Sequence, residues 1–420
     1  MIKIAMASLG CAKNLVDAEN MIGALRSAGY EITSNEAKAD VIIINTCCFI
    51  ESAKQESIDT ILELSQNRGK LVVAGCMASR YSEEILKELP EVTVVTTIGA
   101  NIISAVRMAL SGSRKIIAEK DLEYNKRERS TPPYTAYLQI SDGCDNNCTY
   151  CVIPSIRGKY KSRPIQEIYE EAREMVADGV KELIIIAQDT TSYGIDLYGK
   201  LMLPELLKEL CTLDVTWIRL HYCYPERITD ELIEVIKNED KICKYIDVPI
   251  QHCSDVILKK MGRKGSKIKI FKVLEKLRKI PNIVIRSTLI TGFPTETEEQ
   301  FLELVEFVKT VKLDRLGVFA YSQEEGTPAA RIKEQIPKRT RQSRANKIMR
   351  IQSEISKKLN QARVSTILTV LVEDSGVGRT YADSIDIDGK VYFEGGISGE
   401  FVQVLITDFD GYDLYGHIVE

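Results

Sequence analysis

The sequence predicts an α/β protein in three parts: an amino-terminal parallel α/β domain over residues 1–125, a partial (β/α)6 barrel over 134–362, and a small antiparallel β-barrel over 363–420. Three observations carry this. Short apolar runs alternate with helical patterns through the first two parts, the signature of parallel sheets covered by helices. A charged stretch at 123–133, ending Ser130-Thr131-Pro132-Pro133, has the composition of a linker. Past 363 the runs become short, β-rich and divided by Gly and Asp turns, as in a small barrel.

In the first part, residues 3–8, 41–46, 71–75 and 92–95 read as strands. The best helix is 14–28, where Leu15, Ala18, Ile22 and Leu25 form one apolar stripe and Gly29 supplies the stop. In the second part, 134–141, 182–188, 216–222, 245–249, 283–290 and 316–321 are strands, and six such units suit an open or partial barrel better than a full eight-unit one. In the third, 365–372, 391–394 and 401–407 are strands.

With 44% hydrophobic and 28% charged residues over 420, the chain supports ordinary packed cores and is neither disordered nor a disulfide scaffold. Lys plus Arg is 56 against 60 for Asp plus Glu, a net of −4, so there is no blanket positive field for nucleic acid. Charge is local instead. Residues 331–363 hold eleven basic side chains against two acidic, a balance of +9, and 364–420 reverse it to −9. Most of the basic run reads as a solvated helix face. The start, Met1-Ile2-Lys3-Ile4-Ala5-Met6-Ala7, shows no export signal, and no run of about 18 uncharged apolar residues is present, so the expectation is a cytoplasmic protein with no membrane partner.

Eleven cysteines, an odd number in a long chain, point to metal or redox chemistry rather than disulfides. Cys144, Cys148 and Cys151 stand as Cys-x-x-x-Cys-x-x-Cys in a loop just past a predicted strand. Three thiolates there hold three corners of a four-iron cluster and leave the fourth iron open to a cofactor. A zinc site and chance spacing are the alternatives, though zinc requires a fourth ligand that has no suitable spacing nearby.

A second constellation lies in the amino-terminal part. Cys11, Cys47 and Cys76 each follow a predicted strand, in Ser8-Leu9-Gly10-Cys11, Ile44-Asn45-Thr46-Cys47 and Ala74-Gly75-Cys76. In an open parallel sheet those carboxyl ends share one edge, where ligand sites gather. The bland alternative is three buried, inert cysteines. Cys48 points to the other side if strand alternation persists and is not counted as a ligand. Cys211, Cys223, Cys243 and Cys253 have no mutual spacing pattern and read as packing residues.

The loop motif resembles that of the radical S-adenosylmethionine (SAM) enzymes, with an aromatic residue, Tyr150, before the last cysteine. The resemblance implies that SAM chelates the open iron and is cleaved by one electron to a 5′-deoxyadenosyl radical, which the barrel aims at a substrate hydrogen. Tyr150, Gln188 and the segment Thr291-Gly292-Phe293-Pro294 lie at predicted strand ends and are candidates for cofactor contact, with ordinary loop and turn residues as the other reading.

Over essentially its whole length the chain resembles the methylthiotransferase family of radical SAM enzymes. The segment from Ser8 to Glu19, SLGCAKNLVDAE, is similar to the signature of the branch that modifies a ribosomal protein, whereas relatives acting on transfer RNA usually carry a Gln-Met-Asn type of sequence after the cysteine. Gln188-Asp189-Thr190-Thr191-Ser192-Tyr193-Gly194, Arg219-Leu220-His221-Tyr222, Glu324-Glu325-Gly326-Thr327-Pro328 and Gly378-Arg379-Thr380-Tyr381-Ala382-Asp383 are similar to that branch too. Departures are Ala12, where proline is common, and Cys48, where glycine is common, which leaves open which of the paired cysteines binds a cluster.

The resemblance implies two [4Fe-4S] clusters, with Cys11, Cys47 and Cys76 holding an auxiliary one, and a TRAM domain at the end. It implies replacement of a C–H bond on the β-carbon of an aspartate, in the twelfth protein of the small ribosomal subunit, by C–S–CH3. One SAM supplies the methyl group and a second the radical; an electron donor and a sulfur source are the further partners. The acidic tail suits a basic ribosomal protein, where a TRAM domain used on RNA presents Lys and Arg. Residues 331–363 are the candidate contact to ribosomal RNA. The competing functions are a transfer RNA methylthiotransferase acting on isopentenylated adenosine, and a non-catalytic zinc-stabilised binding protein.

Overall fold

The run Val41–Thr46 (VIIINT) is buried along its whole length, as a central strand covered on both faces must be. It is the third of six strands in the first sheet of the computed structural model, which describes residues 1–119 and 127–419. The predicted domain end at 125 and the start of the linker lie outside the described residues. The chain divides into two compact units, Met1–Thr131 with Asp142–Asn146 and Cys151–Tyr160, and the remainder.

The first unit carries β1 (Lys3–Ser8), β2 (Glu31–Ile32), β3 (Val41–Thr46), β4 (Lys70–Ala74), β5 (Val92–Thr96) and β6 (Lys115–Ile117), paired in the order 2-1-3-4-5-6 with every pairing parallel. Helix α1 (Ala12–Ser27) follows β1 and buries Ala18, Met21, Ala24 and Leu25 against β1, β3 and β4. The strands β2 and β6 escape the sequence pattern because they are two and three residues long and only partly buried.

In the second unit, strands Thr135–Gln139, Glu182–Ile186, Trp217–Leu220, Ile242–Asp247, Val284–Thr291 and Arg315–Ala320 lie side by side in chain order, all parallel and unclosed. Sequential parallel neighbours joined by helices are the construction of a barrel wall. The long helix Lys338–Gln361 packs Ile348 into this unit's core.

Ile367–Asp374, Val377–Thr380, Val391–Tyr392, Phe401–Phe409 and Leu414–Val419 close into a five-stranded barrel. An odd ring cannot alternate direction everywhere, and here the Val391–Tyr392 strand runs parallel to Leu414–Val419 while the other four pairings are antiparallel. Two of the strands gave no apolar run in the sequence, because each has a glycine where backbones nearly touch. A Cβ on Gly378 would lie 2.4 Å from the Leu371 carbonyl oxygen, and one on Gly416 would lie 2.2 Å from that of Leu405.

This barrel is joined to the amino edge of the second sheet by buried ions. Glu182, the first residue of its strand, accepts from Arg219 at 2.8 Å and pairs with Arg379, which also holds Glu373 at 2.6 Å. Arg315 pairs with Asp383, and Tyr245 donates to Asp388 at 2.8 Å. The acidic tail is therefore less acidic outside than its sequence: Glu373, Asp383 and Asp388 are spent inside, and Asp374, Asp386, Glu394, Glu400, Asp408 and Asp410 face solvent. The basic run divides likewise, since Arg341 and Arg344 are buried.

Candidate functional site

In a doubly wound sheet of order 2-1-3-4-5-6 the connections reverse between β1 and β3, and the loops beyond those two carboxyl ends diverge to leave a crevice. Cys11 follows β1, Cys47 follows β3, and Cys76 follows β4 as the second residue of the short helix Gly75–Arg80. The loops close tightly. Gly10, at φ +93°, leaves its Cβ position 2.9 Å from Cys47 Sγ, so no larger residue fits there.

Asn14 ties the three loops together. Fully buried in the first turn of α1, it donates through Nδ2 to the carbonyls of Leu9 at 2.7 Å and Thr46 at 3.1 Å, and its Oδ1 lies 3.7 Å from Cys76 Sγ. Asn45 donates in turn to the Asn14 carbonyl at 2.6 Å. The guanidinium of Arg157 pairs with Asp17 at 2.5 Å and Asp142 at 3.0 Å, and its Nη2 stands 4.0 Å from Cys76 Sγ.

These surroundings separate the three thiols. Burial pushes Cys76 up to about 12 against the opposing charge of Arg157, and it raises Cys47 as well. Cys11 caps α1; although the residue reaches solvent, its thiol is enclosed by protein atoms, which disfavours the thiolate, and Lys13, Arg157 and the amides of Lys13 and Asn14 outweigh this to leave it below the ordinary value. Cys11 adds to the rise at Cys47, and Cys11 and Cys47 both add to the rise at Cys76. Cys48 is fully buried in an apolar cluster with Ile44 and Ile61.

The loop cysteines are half-buried. Cys144 and Cys151 belong to the first unit, where the Cys144 amide donates to the Gly158 carbonyl at 3.1 Å and Cys151 Sγ accepts from the Ile153 amide at 3.5 Å. Cys148 belongs to the second, 4.0 Å from the Tyr224 hydroxyl; Arg263 lies over the Tyr224 ring at 3.8 Å. Among the described residues no three His, Cys, Asp or Glu side chains are grouped to hold a single metal ion. A four-iron cluster asks for something else, one thiolate per iron on separate corners.

Of the residues considered for cofactor contact, Tyr150 packs beside Phe293, Met261 and Tyr321, which brings it to the segment 291–294. Gly292, at φ +68°, gives its amide to the Glu296 carboxylate, and Arg341 fills the place of its missing Cβ. Gln188 is half-buried beyond Glu182–Ile186, which is separated from Val284–Thr291 by two intervening strands. Cys223, Cys243 and Cys253 are buried in apolar clusters and Cys211 packs at the edge of one, as packing residues do.

The sequence assigns no role of their own to Asn14, Asp17 and Arg157, although Asn14 and Asp17 lie within the segment from Ser8 to Glu19. The available signal was position, since Asn14 and Asp17 fall three and six residues after Cys11, and Arg157 six after Cys151.

Comparison with known proteins agrees with this architecture. Residues 3–97 match the model described as uncharacterized protein family UPF0004, 138–308 the radical SAM superfamily, and 364–419 the TRAM domain. By fold, TsrM from Kitasatospora setae, a radical SAM methyltransferase solved with cobalamin and a [4Fe-4S] cluster, is similar at a TM-score of 0.57, with 13% identity over 90% of this chain and 79% of that one. The chain is thus a radical SAM enzyme, a class defined by a [4Fe-4S] cluster and SAM. Two curated relatives named ribosomal protein uS12 methylthiotransferase RimO place it more closely: that of Lachnoclostridium phytofermentans is 48% identical, covering 99% of each chain, and that of Desulforamulus reducens 49%, covering all of each. This chain belongs to the RimO family and transfers a methylthio group. Among the described residues no helix is long and apolar enough to cross a membrane.

Proposed function

We propose that this enzyme places a methylthio group on the β-carbon of an aspartate in uS12, the twelfth protein of the small ribosomal subunit. Cys144, Cys148 and Cys151 would hold the cluster that binds SAM, and Cys11, Cys47 and Cys76 would hold a second. Bound there, the first would supply the electron that cleaves SAM and the second a sulfur for the substrate carbon. The chain's own part is placement, since a carbon radical is captured productively only by a sulfur already within reach. The observation that supports the reading is Asn14, which bonds the backbones leading to Cys11 and Cys47 while its Oδ1 lies 3.7 Å from Cys76 Sγ, at the sheet's switch point.

The fit is chemical. Thiols held high by burial are poor ligands until a cation shares their charge, and Arg157 beside Cys76 provides one. The exposed acids of the terminal barrel favour encounter with a basic protein and disfavour RNA on that face. An electron donor and a sulfur source complete the requirements, in a cytoplasmic setting.

Mass analysis of uS12 from cells with and without the gene tests the substrate, and a methylthio-aspartate that vanishes with the gene is expected. Methylthio-adenosine in transfer RNA, with uS12 unchanged, would overturn the assignment. Anaerobically purified protein should be brown with about eight irons per chain; about four would leave the second cluster unsupported.

A further inference from the structure

The long helix Lys338–Gln361 sorts its cations into two sets. Arg341 and Arg344 turn inward and are consumed: Arg341 donates to the carbonyls of Ile336 at 2.6 Å and Tyr321 at 2.9 Å, and Arg344 pairs with Glu298 at 2.9 Å and donates to the Glu296 carbonyl at 3.1 Å. Lys338, Arg339, Lys347 and Arg350 are exposed, and none of them forms an ion pair among the described residues. Like charges on one helix face repel by a few tenths of a kcal/mol per neighbouring pair.

Two hollows run along this outer face. The larger, about 700 Å³, is lined by the four exposed cations together with Gln342 and Asn346, and carries no carboxylate. The smaller, about 320 Å³, shares Arg339, Ser343 and Lys347 with it and adds Thr340, Arg344 and Glu298, whose carboxylate Arg344 already holds. Arg344 Nε, buried, has no acceptor among the described residues. Lys347 Nζ rests 5.4 Å from the Phe301 ring centroid, which steadies an otherwise free ammonium.

We propose that this face, from Lys338 to Arg350, binds the phosphate backbone of RNA. Its length is about 18 Å at 1.5 Å per residue, enough to meet several phosphates of one strand. Amides and hydroxyls between the cations are donors of the kind that fix backbone register without reading bases. A membrane is a poor match, since the exposed row has no apolar residue to enter the acyl region. The inference rests on the uS12 reading for its purpose: an enzyme acting on a ribosomal protein would use a cationic face for RNA and exposed acids for the protein.

The test uses the full-length protein and a fluorescein-labelled RNA hairpin of arbitrary sequence, with anisotropy measured across salt. Four phosphate contacts predict that log K falls against log salt with a slope near −3.6, about a hundredfold between 50 and 200 mM. The variant Lys338→Ala/Arg339→Ala/Lys347→Ala/Arg350→Ala should flatten that slope by about 3.6 units, while Lys357→Ala/Lys358→Ala, exposed farther along the same helix, should change it far less. Unchanged binding in the fourfold variant, equal loss in the double variant, or tighter binding of anionic vesicles than of RNA would each overturn the proposal. The two readings fail separately. Wild-type enzyme inactive on uS12 sinks the substrate assignment and leaves RNA binding standing, whereas a fourfold variant that binds the hairpin normally sinks the RNA face alone.

Discussion

Arg157 Nη2 stands 4.0 Å from Cys76 Sγ while the same guanidinium grips Asp17 and Asp142. Its side chain is 1% exposed, so the cation survives burial only through these partners. Replacing it with methionine leaves Asp17 in a site where burial already raises its carboxyl above the ordinary value. Arg157→Met should cost about 3–5 kcal/mol in urea unfolding, the usual penalty for stranding a buried partner. Arg157→Lys keeps the charge but not the two-pronged geometry and should fall between. A methionine variant as stable as wild type would show that the pair is unimportant to the fold.

The two cysteine sets should separate by function. Cys148→Ala should abolish 5′-deoxyadenosine formation from SAM. Cys76→Ala should retain some of it, lose methylthio transfer, and lower the iron count from about eight to about four. Product analysis by mass spectrometry distinguishes them, and equal loss of SAM cleavage in both folded variants would contradict the division of labour.

How far the sequence reveals this site depends on the range of the interaction. The strand-end positions of Cys11, Cys47 and Cys76 are legible because a parallel sheet forces all its carboxyl ends to one edge, whatever the loops do. The roles of Asn14 and Arg157 are not, since an asparagine in a first helical turn and an arginine after a cysteine loop look like ordinary surface residues until the fold buries them. The same applies to charge. A count of the tail cannot tell Asp383, paired with Arg315, from Asp408 in solvent, and Gly378 and Gly416 weaken the local strand pattern for a reason that lies on the neighbouring strand.

Glu182 anchors the terminal barrel to the second sheet. Burial works against its charge, but Arg379 and Arg219 overcome it and hold the carboxyl at about 2. Its unfolded value is about 4.3. A depressed folded value means that the stabilisation is present above about pH 4.3 and is lost as pH falls toward 2. Glu182→Gln should remove it at neutral pH, leaving two buried guanidiniums short of charge at a cost of about 3–5 kcal/mol. Limited proteolysis should then release the chain beyond residue 363 sooner than in wild type; an unchanged cleavage rate and melting temperature would contradict the anchoring role.

Glu296 presents the opposite case, in the turn that carries Gly292. Its carboxylate accepts from the amides of Gly292 and, at 3.1 Å, Phe293, and Arg344 approaches it at 3.4 Å. Burial nevertheless dominates and raises the carboxyl to about 7, with Arg344 and the two amides offsetting it only in part. Because the folded value lies above the unfolded one of about 4.3, folding favours the protonated acid. That contribution is fully present below about pH 4.3 and is lost as pH climbs through 7. The melting temperature of wild type should therefore fall relative to that of Glu296→Gln, which cannot ionise, between about pH 5 and pH 8. A difference between the two that stays constant across this window would mean that the turn holds an ordinary ionised carboxylate, and that the amides and Arg344 outweigh its burial.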